Sequence, residues 1–597
     1  MQGIRRLPLP AGLRRLARTV RRRGGIPPQP GPAGPERTTD RPARRDPATE
    51  REEELLATVP NLVRHRGRLA LVRDDLLPGD ARDANLRSLA EALEAAAVPY
   101  GLVPDGRLTH RVAIAPGDRD AALKACATAF AGLPVYARLL TTDDAADVPA
   151  DARADVLAED LPAAVDAAEA APDPGEDTPP TDRAPRPAPV RAVRLHHPVV
   201  TSGRTLTYGP ETGCDLEFWE VPDSGEGAIA GLRETPYGWW VPTLSATATH
   251  RVGDRDYPVV DCFSGRFPDD IDFPVDAVIT WVDAADPAWR RRRDRAARAA
   301  TASGRDTGVD LADNRYRDRG ELRHCLRSIA AYAPWIRHVF LVTDDQAPRW
   351  LDTDHPRITV VDHRELLTEP DAPEVFNSHA IESRLHRIPG LAEHFVYFND
   401  DILLGRPQRP QDYFLPSGLP KVFHDRRAVD PGSRAGDDVF TSSQKVTRQA
   451  VEEVVGRTYP HILAHTPYPL TRSLFTHVEE LLPGRLDATA RSVFRSTDDL
   501  APVTLASHLA LARGHAVEGH LVHTYVSTAR HDVIDKLPPL AAERAHDAFC
   551  LADDEDTPTE AADRDGLTAT QQHNIVAAFL EAYFPVPSPF ERPQPQP

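Results

Sequence analysis

The sequence predicts an α/β protein whose main domain is built on a parallel sheet. Two observations lead there. From about residue 271, short apolar runs alternate with amphipathic helical stretches. Strands separated by helices imply a parallel sheet with right-handed crossovers. Several of these apolar runs also end abruptly in acidic residues, and the sharpest case is the run from Glu393 to Asp401. Phe395 to Phe398 reads as a buried strand, and Asn399, Asp400 and Asp401 close it. Adjacent buried carboxylates are costly unless something positive sits against them. In open α/β sheets the carboxyl end of a strand is where ligands bind. A divalent cation carrying phosphate oxygens is the simplest partner, which points to a metal-assisted transferase acting on a phosphorylated donor.

The elements follow in chain order. Residues 1–54 are rich in Arg, Pro and Gly and read as a disordered basic arm. Within it, Leu13 to Arg23 is basic and amphipathic, and such a stretch can lie on an anionic membrane surface. Residues 55–145 read as a small α/β domain. Its expected strands are Leu69–Arg73, Val112–Ala115 and Val135–Leu140, with helices Ala84–Ala97 and Asp118–Phe130 between them. That order suggests a compact ferredoxin-like layer. Residues 146–190, rich in Asp, Glu, Ala and Pro, read as a solvated linker. Residues 191–270 switch to short alternating segments with Gly and Pro turns, a β-rich module. Its paired tryptophans, Trp239 and Trp240, read as core packing, with sugar stacking the alternative.

The main domain is expected over 271–588, with a disordered tail over 589–597. Its strands are Asp276–Asp283, His338–Asp344, Ile358–Asp362 and Phe395–Asp401. Its helices include Glu321–Tyr332, with Leu322, Leu326, Ile329 and Ala333 on the buried face, and Ser378–Arg387. Parallel strands share one carboxyl edge, so Asp283, Asp344, Asp362, Asp400 and Asp401 would gather on one rim. Arg315, Arg317, Arg319 and Arg323 are the nearby cations. For any one of these acids the plain alternative is a helix cap or a solvated loop residue. On the second helix His379, Glu382 and His386 fall on one face. Their spacing matches none of the common zinc motifs, and a Glu aimed at the rim between orienting histidines is the better functional reading.

Composition excludes some classes. The formal net charge of -19 argues against a general nucleic-acid binder. Five scattered cysteines with no C-x-x-C pair suggest neither a zinc ribbon nor a disulfide framework. No apolar run reaches the ~18 residues of a membrane span, and the first residues lack a signal-like apolar core. A cytoplasmic location is expected, with the basic arm as a contact to the inner membrane face.

These residues resemble the Stealth proteins. Thr280 to Pro287 looks like the family's first conserved region, and Asn314 to Ile329 opens the second. The second continues through Phe376 to Glu382 and Asn399 to Asp401. Ala464, His465 and Arg495 resemble the third, and Phe549 to Asp553 the fourth. Two positions depart from the family pattern. Ala284-Ala285 stands where Gly-Ser or Gly-Thr is usual, and Ala552 where Asn is usual.

The resemblance implies a nucleotide-sugar-transferase-like catalytic domain. It implies a phosphotransferase of exopolysaccharide or capsule synthesis that moves hexose-1-phosphate from a nucleotide sugar to a glycan hydroxyl. A phosphodiester forms and a nucleoside monophosphate leaves. The catalytic residues carried over are Glu382, Asp401, His465 and Arg495. Substrate contacts are expected from Trp281, Asp283, Asp286, Arg315, Asp318, Arg323, Asp344, Asn377 and His379. Asp400, Asp401 and Asp553 are the expected ligands of Mg²⁺ or Mn²⁺. The partners are a nucleotide-sugar donor and a polysaccharide or oligosaccharide acceptor. Whether Glu382 or His465 takes the acceptor's proton stays open. Two rival readings remain: a metal-dependent glycosyltransferase that releases a nucleoside diphosphate, and a non-enzymatic glycan-binding protein.

Overall fold

In the computed structural model the described residues are 47–104, 108–141, 155–170, 188–222, 227–304, 309–312, 314–369, 371–432, 434, 436–528, 532–553 and 569–593. The chain divides into one unit ending at Phe267 and a second beginning at Pro268.

The second unit is organised by strands with no exposed face. Val275–Thr280 (β1) and Val339–Thr343 (β2) are buried at every position. A strand covered by structure on both faces must be apolar on both. Ile358–Asp362 (β3) and His394–Asn399 (β4) complete the parallel set. Ile402–Leu404 (β5) follows β4 after two residues, and Tyr468–Thr471 (β6) comes later in the chain. The sheet runs β3-β2-β1-β4-β6, with only β6 antiparallel. The chain therefore moves outward from β1 to β3 and then returns to β1's other side for β4. That reversal opens a crevice at the carboxyl ends of β1 and β4, where Thr280 pairs with Asn399. This is the parallel α/β fold the sequence predicts.

A small second sheet sharpens this corner. It runs β5, Ala548–Ala552 (β8), His523–Ser527 (β7), with β5 antiparallel to β8. Asp400 and Asp401 are thus the joint between two sheets, and the second sheet brings Cys550 beside them.

Three helices matter for the site. Pro287–Ala302 (α1) is capped by Asp286, whose carboxylate accepts from the Ala288 amide at 2.8 Å. Glu321–Tyr332 (α2) has the bounds its periodicity predicts, and Leu322, Leu326, Ile329 and Ala333 are all buried. It starts after Gly320, whose φ of +98° suits a residue without a Cβ. Ser378–Glu382 (α3) is shorter than expected. The helix stops at Glu382, and Leu385–Arg387 is a separate 3₁₀ turn. His386 therefore leaves the Glu382 face and meets Glu479 at 3.2 Å.

The chain's last described stretch is not a loose tail. Phe590 is buried, and Glu591 accepts from Arg327 Nε at 2.7 Å and from Arg323 Nε at 2.5 Å, both on the flank of α2. A buried carboxylate offset by two guanidinia holds its place firmly.

In the first unit, strands from both sides of the expected linker share one eight-stranded sheet. His110–Ile114 pairs with Cys214–Phe218, which pairs with Val190–His196, which pairs with Tyr136–Thr141. The small α/β domain and the β-rich module are thus one folding unit, because neither half completes the sheet alone. Helices Pro78–Ala95 and Arg119–Ala129 share its apolar core through Leu86, Leu89, Leu93, Leu123 and Cys126. Part of the expected linker is also folded: Leu161–Glu169 is a helix with Leu161 and Val165 buried. Pro47–Thr58 is a helix where the arm was expected to continue. The basic stretch Leu13 to Arg23 lies outside the described residues. Trp239 and Trp240 are 44% and 50% exposed, so they are not the core residues expected.

On the other face of that sheet, Asp215 and Glu217 are fully buried on Cys214–Phe218. Arg111 grips Glu217 with two 2.9 Å bonds. Asp215 takes Arg194 at 2.6 and 2.9 Å and Arg233 at 2.6 Å. Although burial opposes ionisation, Arg194 and Arg233 together hold Asp215 below the usual carboxylate range.

Candidate active site

The crevice between β1 and β4 is a pocket of about 770 Å³. Catalytic candidates Glu382, Asp401, His465 and Arg495 all line it. They come from a helix, a sheet corner, a loop before β6 and a loop near Ser496, and only the fold unites them.

Glu382 ends α3, whose N-terminus is fixed by Asn377; its side-chain oxygen accepts from the His379 amide at 3.0 Å. The Glu382 carboxylate accepts from the Tyr397 hydroxyl at 3.2 Å. That hydroxyl lies 2.9 Å from Thr280 Oγ1 and accepts from Asn399 Nδ2 at 3.1 Å. Burial pushes the Glu382 carboxyl above its ordinary range, opposed by Arg495 and by the Tyr397 bond. A carboxylate raised in this way is a better proton acceptor near neutral pH.

Arg495 donates to Ser378 Oγ through Nε at 3.2 Å and Nη2 at 2.5 Å. Among the described residues no carboxylate lies within ion-pair distance of Arg495. A planar guanidinium held by a hydroxyl and unmatched by an acid suits a phosphate. Arg315, also lining the pocket, pairs with Asp310 at 2.9 Å.

The acids at the sheet corner are crowded. Asp318 accepts from the Trp281 indole at 2.9 Å and caps α2 through the Gly320 and Glu321 amides at 2.7 and 3.0 Å. Burial, and then Asp318, pushes Glu321 up to about 8. Asp400 is raised well above its usual range by burial and by Asp401, Asp318 and Glu321. Asp401 Oδ1 is buried and makes no hydrogen bond, with His465 Nε2 3.6 Å away. Asp401 Oδ2 accepts from Cys550 Sγ at 3.3 Å. The other ring nitrogen of His465 lies 2.9 Å from the Tyr468 hydroxyl. Excess negative charge and an unmatched carboxylate oxygen are what a divalent cation would offset, so the residues fit one. Among the described residues, the metal-type donors lying within 4.8 Å of one another are those of Asp401, His465 and Cys550.

The expected substrate contacts divide. Trp281, Arg315, Asn377 and His379 line the pocket. His379 is buried, and desolvation holds its imidazole neutral. Asn377 spends its amide on Asp499 at 2.8 Å and on the Ser492 carbonyl at 3.1 Å. Asp283, Asp286, Asp318, Arg323 and Asp344 are not among the lining residues. Asp283 accepts from the Ala285 amide at 2.7 Å, and Asp344 is matched by Arg292 at 2.7 Å. Arg323 is engaged by Glu591. The rim is therefore not uniformly acidic: at the ends of β2 and β3, Asp344 has its own arginine and Asp362 caps a helix beside Arg364. Asp553, an expected metal ligand, lines the pocket but faces Arg317 at 2.5 Å and Arg319 at 2.9 Å. Two guanidinia already offset its charge.

Sequence reasoning missed Tyr397, Tyr468, Ser378 and Cys550. A signal existed for Tyr397, which shares a strand face with Asn399 two residues on. Cys550 lay inside the stretch resembling the fourth conserved region, but nothing in the sequence set it beside Asp401, 149 residues away.

The four conserved regions of the Stealth proteins match residues 273–299, 315–422, 464–512 and 539–597. Exopolysaccharide phosphotransferase SCO2592 of Streptomyces coelicolor is 38% identical over 550 residues, covering 91% of this chain and 54% of that protein. Exopolysaccharide phosphotransferase SCO6023 of the same organism is 37% identical, with 92% and 89% covered. Exopolysaccharide phosphotransferase CpsY of Mycobacterium tuberculosis is 31% identical, with 89% and 92% covered. Among solved structures, the galactosyltransferase LgtC gives a TM-score of 0.26 at 11% identity, over 51% of this chain and 95% of that one. The chain belongs to the Stealth family, alongside proteins named exopolysaccharide phosphotransferases.

Proposed function

We propose that the chain transfers a hexose-1-phosphate from a nucleotide sugar to a hydroxyl of a growing exopolysaccharide. The observation that carries this is one pocket holding a buried carboxylate, an arginine unmatched by an acid and a crowded carboxylate corner. The first suits proton removal, the second an anionic phosphorus centre, the third a cation that binds a diphosphate.

The acceptor oxygen attacks the sugar-proximal phosphorus. A new P–O bond forms, the bond to the nucleoside phosphate breaks, and a nucleoside monophosphate carries away the electron pair. Glu382 or His465 takes the acceptor's proton. Arg495 supports the equatorial or leaving oxygens. Asp401, with Asp400 behind it, would hold a divalent ion such as Mg²⁺ or Mn²⁺, which when bound offsets charge on the diphosphate. Trp281, Arg315 and His379 line the donor's surroundings. Among the described residues no helix is long and apolar enough to cross a membrane. We place contact with the inner membrane face in the basic arm.

The nucleotide product tests this. The purified chain is incubated with a divalent cation, a panel of nucleotide sugars and oligosaccharide acceptors, and the nucleotides are separated by ion exchange. Nucleoside monophosphate, lost in Asp401→Ala, is the expected result. Nucleoside diphosphate would mean a glycosyltransferase instead.

A further inference from the structure

Cys550 is fully buried on β8, opposite Ile402 on β5 and Tyr525 on β7. A cysteine so placed ordinarily only packs. Three observations set this one apart. Its Sγ, a ring nitrogen of His465 and a carboxylate oxygen of Asp401 all lie within 4.8 Å of one another. Asp401 Oδ1 is buried with no hydrogen bond to balance it. The Nδ1 of His465 sits 2.9 Å from the Tyr468 hydroxyl, which turns Nε2 toward Asp401. Metal-binding imidazoles are oriented in this way by a partner on their second nitrogen.

We propose that Cys550 is a thiolate ligand of the active-site cation, beside Asp401 and His465, and that this mixed set favours Zn²⁺ or Co²⁺ over Mg²⁺. The proposal rests on the cation-assisted reading above but replaces its Mg²⁺ or Mn²⁺ with a softer ion. Mg²⁺ takes oxygen ligands in a near-octahedral shell and sheds water reluctantly. Thiolate and imidazole favour softer ions. On binding, the Sγ–H proton that now points at Asp401 Oδ2 passes to solvent, so affinity rises with pH. A His465 nitrogen committed to the ion cannot also take the acceptor's proton. That duty then falls to Glu382.

The test is a spectroscopic titration of the metal-stripped full chain with Co²⁺. A thiolate ligand gives a sulfur-to-cobalt charge-transfer band in the near ultraviolet, alongside the visible ligand-field bands. The expected result is one equivalent of that band in the wild type, displaced by Zn²⁺ and not by the same concentration of Mg²⁺. Cys550→Ser and Cys550→Asp should lack the band, and the Ser variant should bind Co²⁺ about 10-fold or more weakly. Circular dichroism checks their folding, and if neither folds the wild-type band and its displacement pattern decide. Ligand-field bands without charge transfer, a band that survives both substitutions, or no Co²⁺ binding would each overturn the proposal. Nucleoside monophosphate release without the band would remove Cys550 and leave the phosphotransferase reading standing. Nucleoside diphosphate release with the band would do the reverse.

Discussion

Two buried carboxylate clusters in this chain are built on opposite rules. In the first unit, Asp215 and Glu217 meet Arg111, Arg194 and Arg233 at hydrogen-bonding distance. In the second, Asp318, Glu321, Asp400 and Asp401 crowd one another at a sheet corner. The first cluster holds Asp215 in its charged form. The second drives Asp400 and Glu321 toward their neutral forms. Burial alone does not separate the two. What separates them is whether the fold supplies the positive charge or leaves it to a ligand. A compensated cluster ties strands together; an uncompensated one is a place for something to bind.

The sharpest way to break this contrast is to remove one acid from each. Asp401→Ala should lower turnover by about 1,000-fold or more, the scale of losing an electrostatic clamp, while the thermal transition stays in place. Nucleotide release and calorimetry read the two quantities. Glu217→Gln should do the opposite. It leaves Arg111 buried against a neutral partner, so the first unit should lose on the order of 3–5 kcal/mol, with turnover per folded molecule unchanged. A large activity loss there, or a large stability loss at Asp401, would erase the distinction.

Opposite pH slopes should follow. Asp215 has a depressed folded value, so its contribution is present above the unfolded carboxylate pKa and fades as pH falls through the folded one. Glu321 is raised from 4.5 to about 8, so its site is most stable below the lower value and weakens as pH climbs through the upper. The loss should be on the order of 5 kcal/mol for metal-free protein. Glu321→Gln should flatten that decline between pH 4.5 and about 8, and a divalent cation should reduce it. Calorimetric transitions followed across pH would show both.

The smallest expected effect sharpens the picture within the pocket. The Tyr397 hydroxyl stabilises the charged form of Glu382. Tyr397→Phe should cost about 10-fold in kcat/KM, and should move the acidic limb of its pH profile upward. An unmoved limb would mean that another group sets it.

The sheet and its helices were legible because their signals are local. β3 and α2 have the bounds their periodicity predicts. The acids at strand ends were also visible, but their partners were not. Asp344 reads as a site residue until Arg292, 52 positions earlier, is seen to neutralise it. Asp553 reads as a metal ligand until Arg317 and Arg319 arrive from the far side of the unit. Cys550 is only one residue of a family-like stretch until β5 and β8 pair. The two N-terminal modules were separated in the reading because the composition shifts between them, yet backbone pairing joins them. Composition records solvent exposure along the chain. It does not record which strands meet.

The grip of Glu591 on α2 has a consequence for how the molecule is made. Arg323 and Arg327 lie beyond the first turn of the helix that opens with Glu321, and their partner follows them by 268 and 264 positions. Until Glu591 emerges, two guanidinia on that helix lack the carboxylate that offsets them. The first unit, synthesised earlier, can complete its sheet while translation continues. The second cannot fasten this flank of α2 until the chain has grown through Glu591. A chain cut short of Phe590 should therefore hold α2, and the acids at its first turn, less firmly.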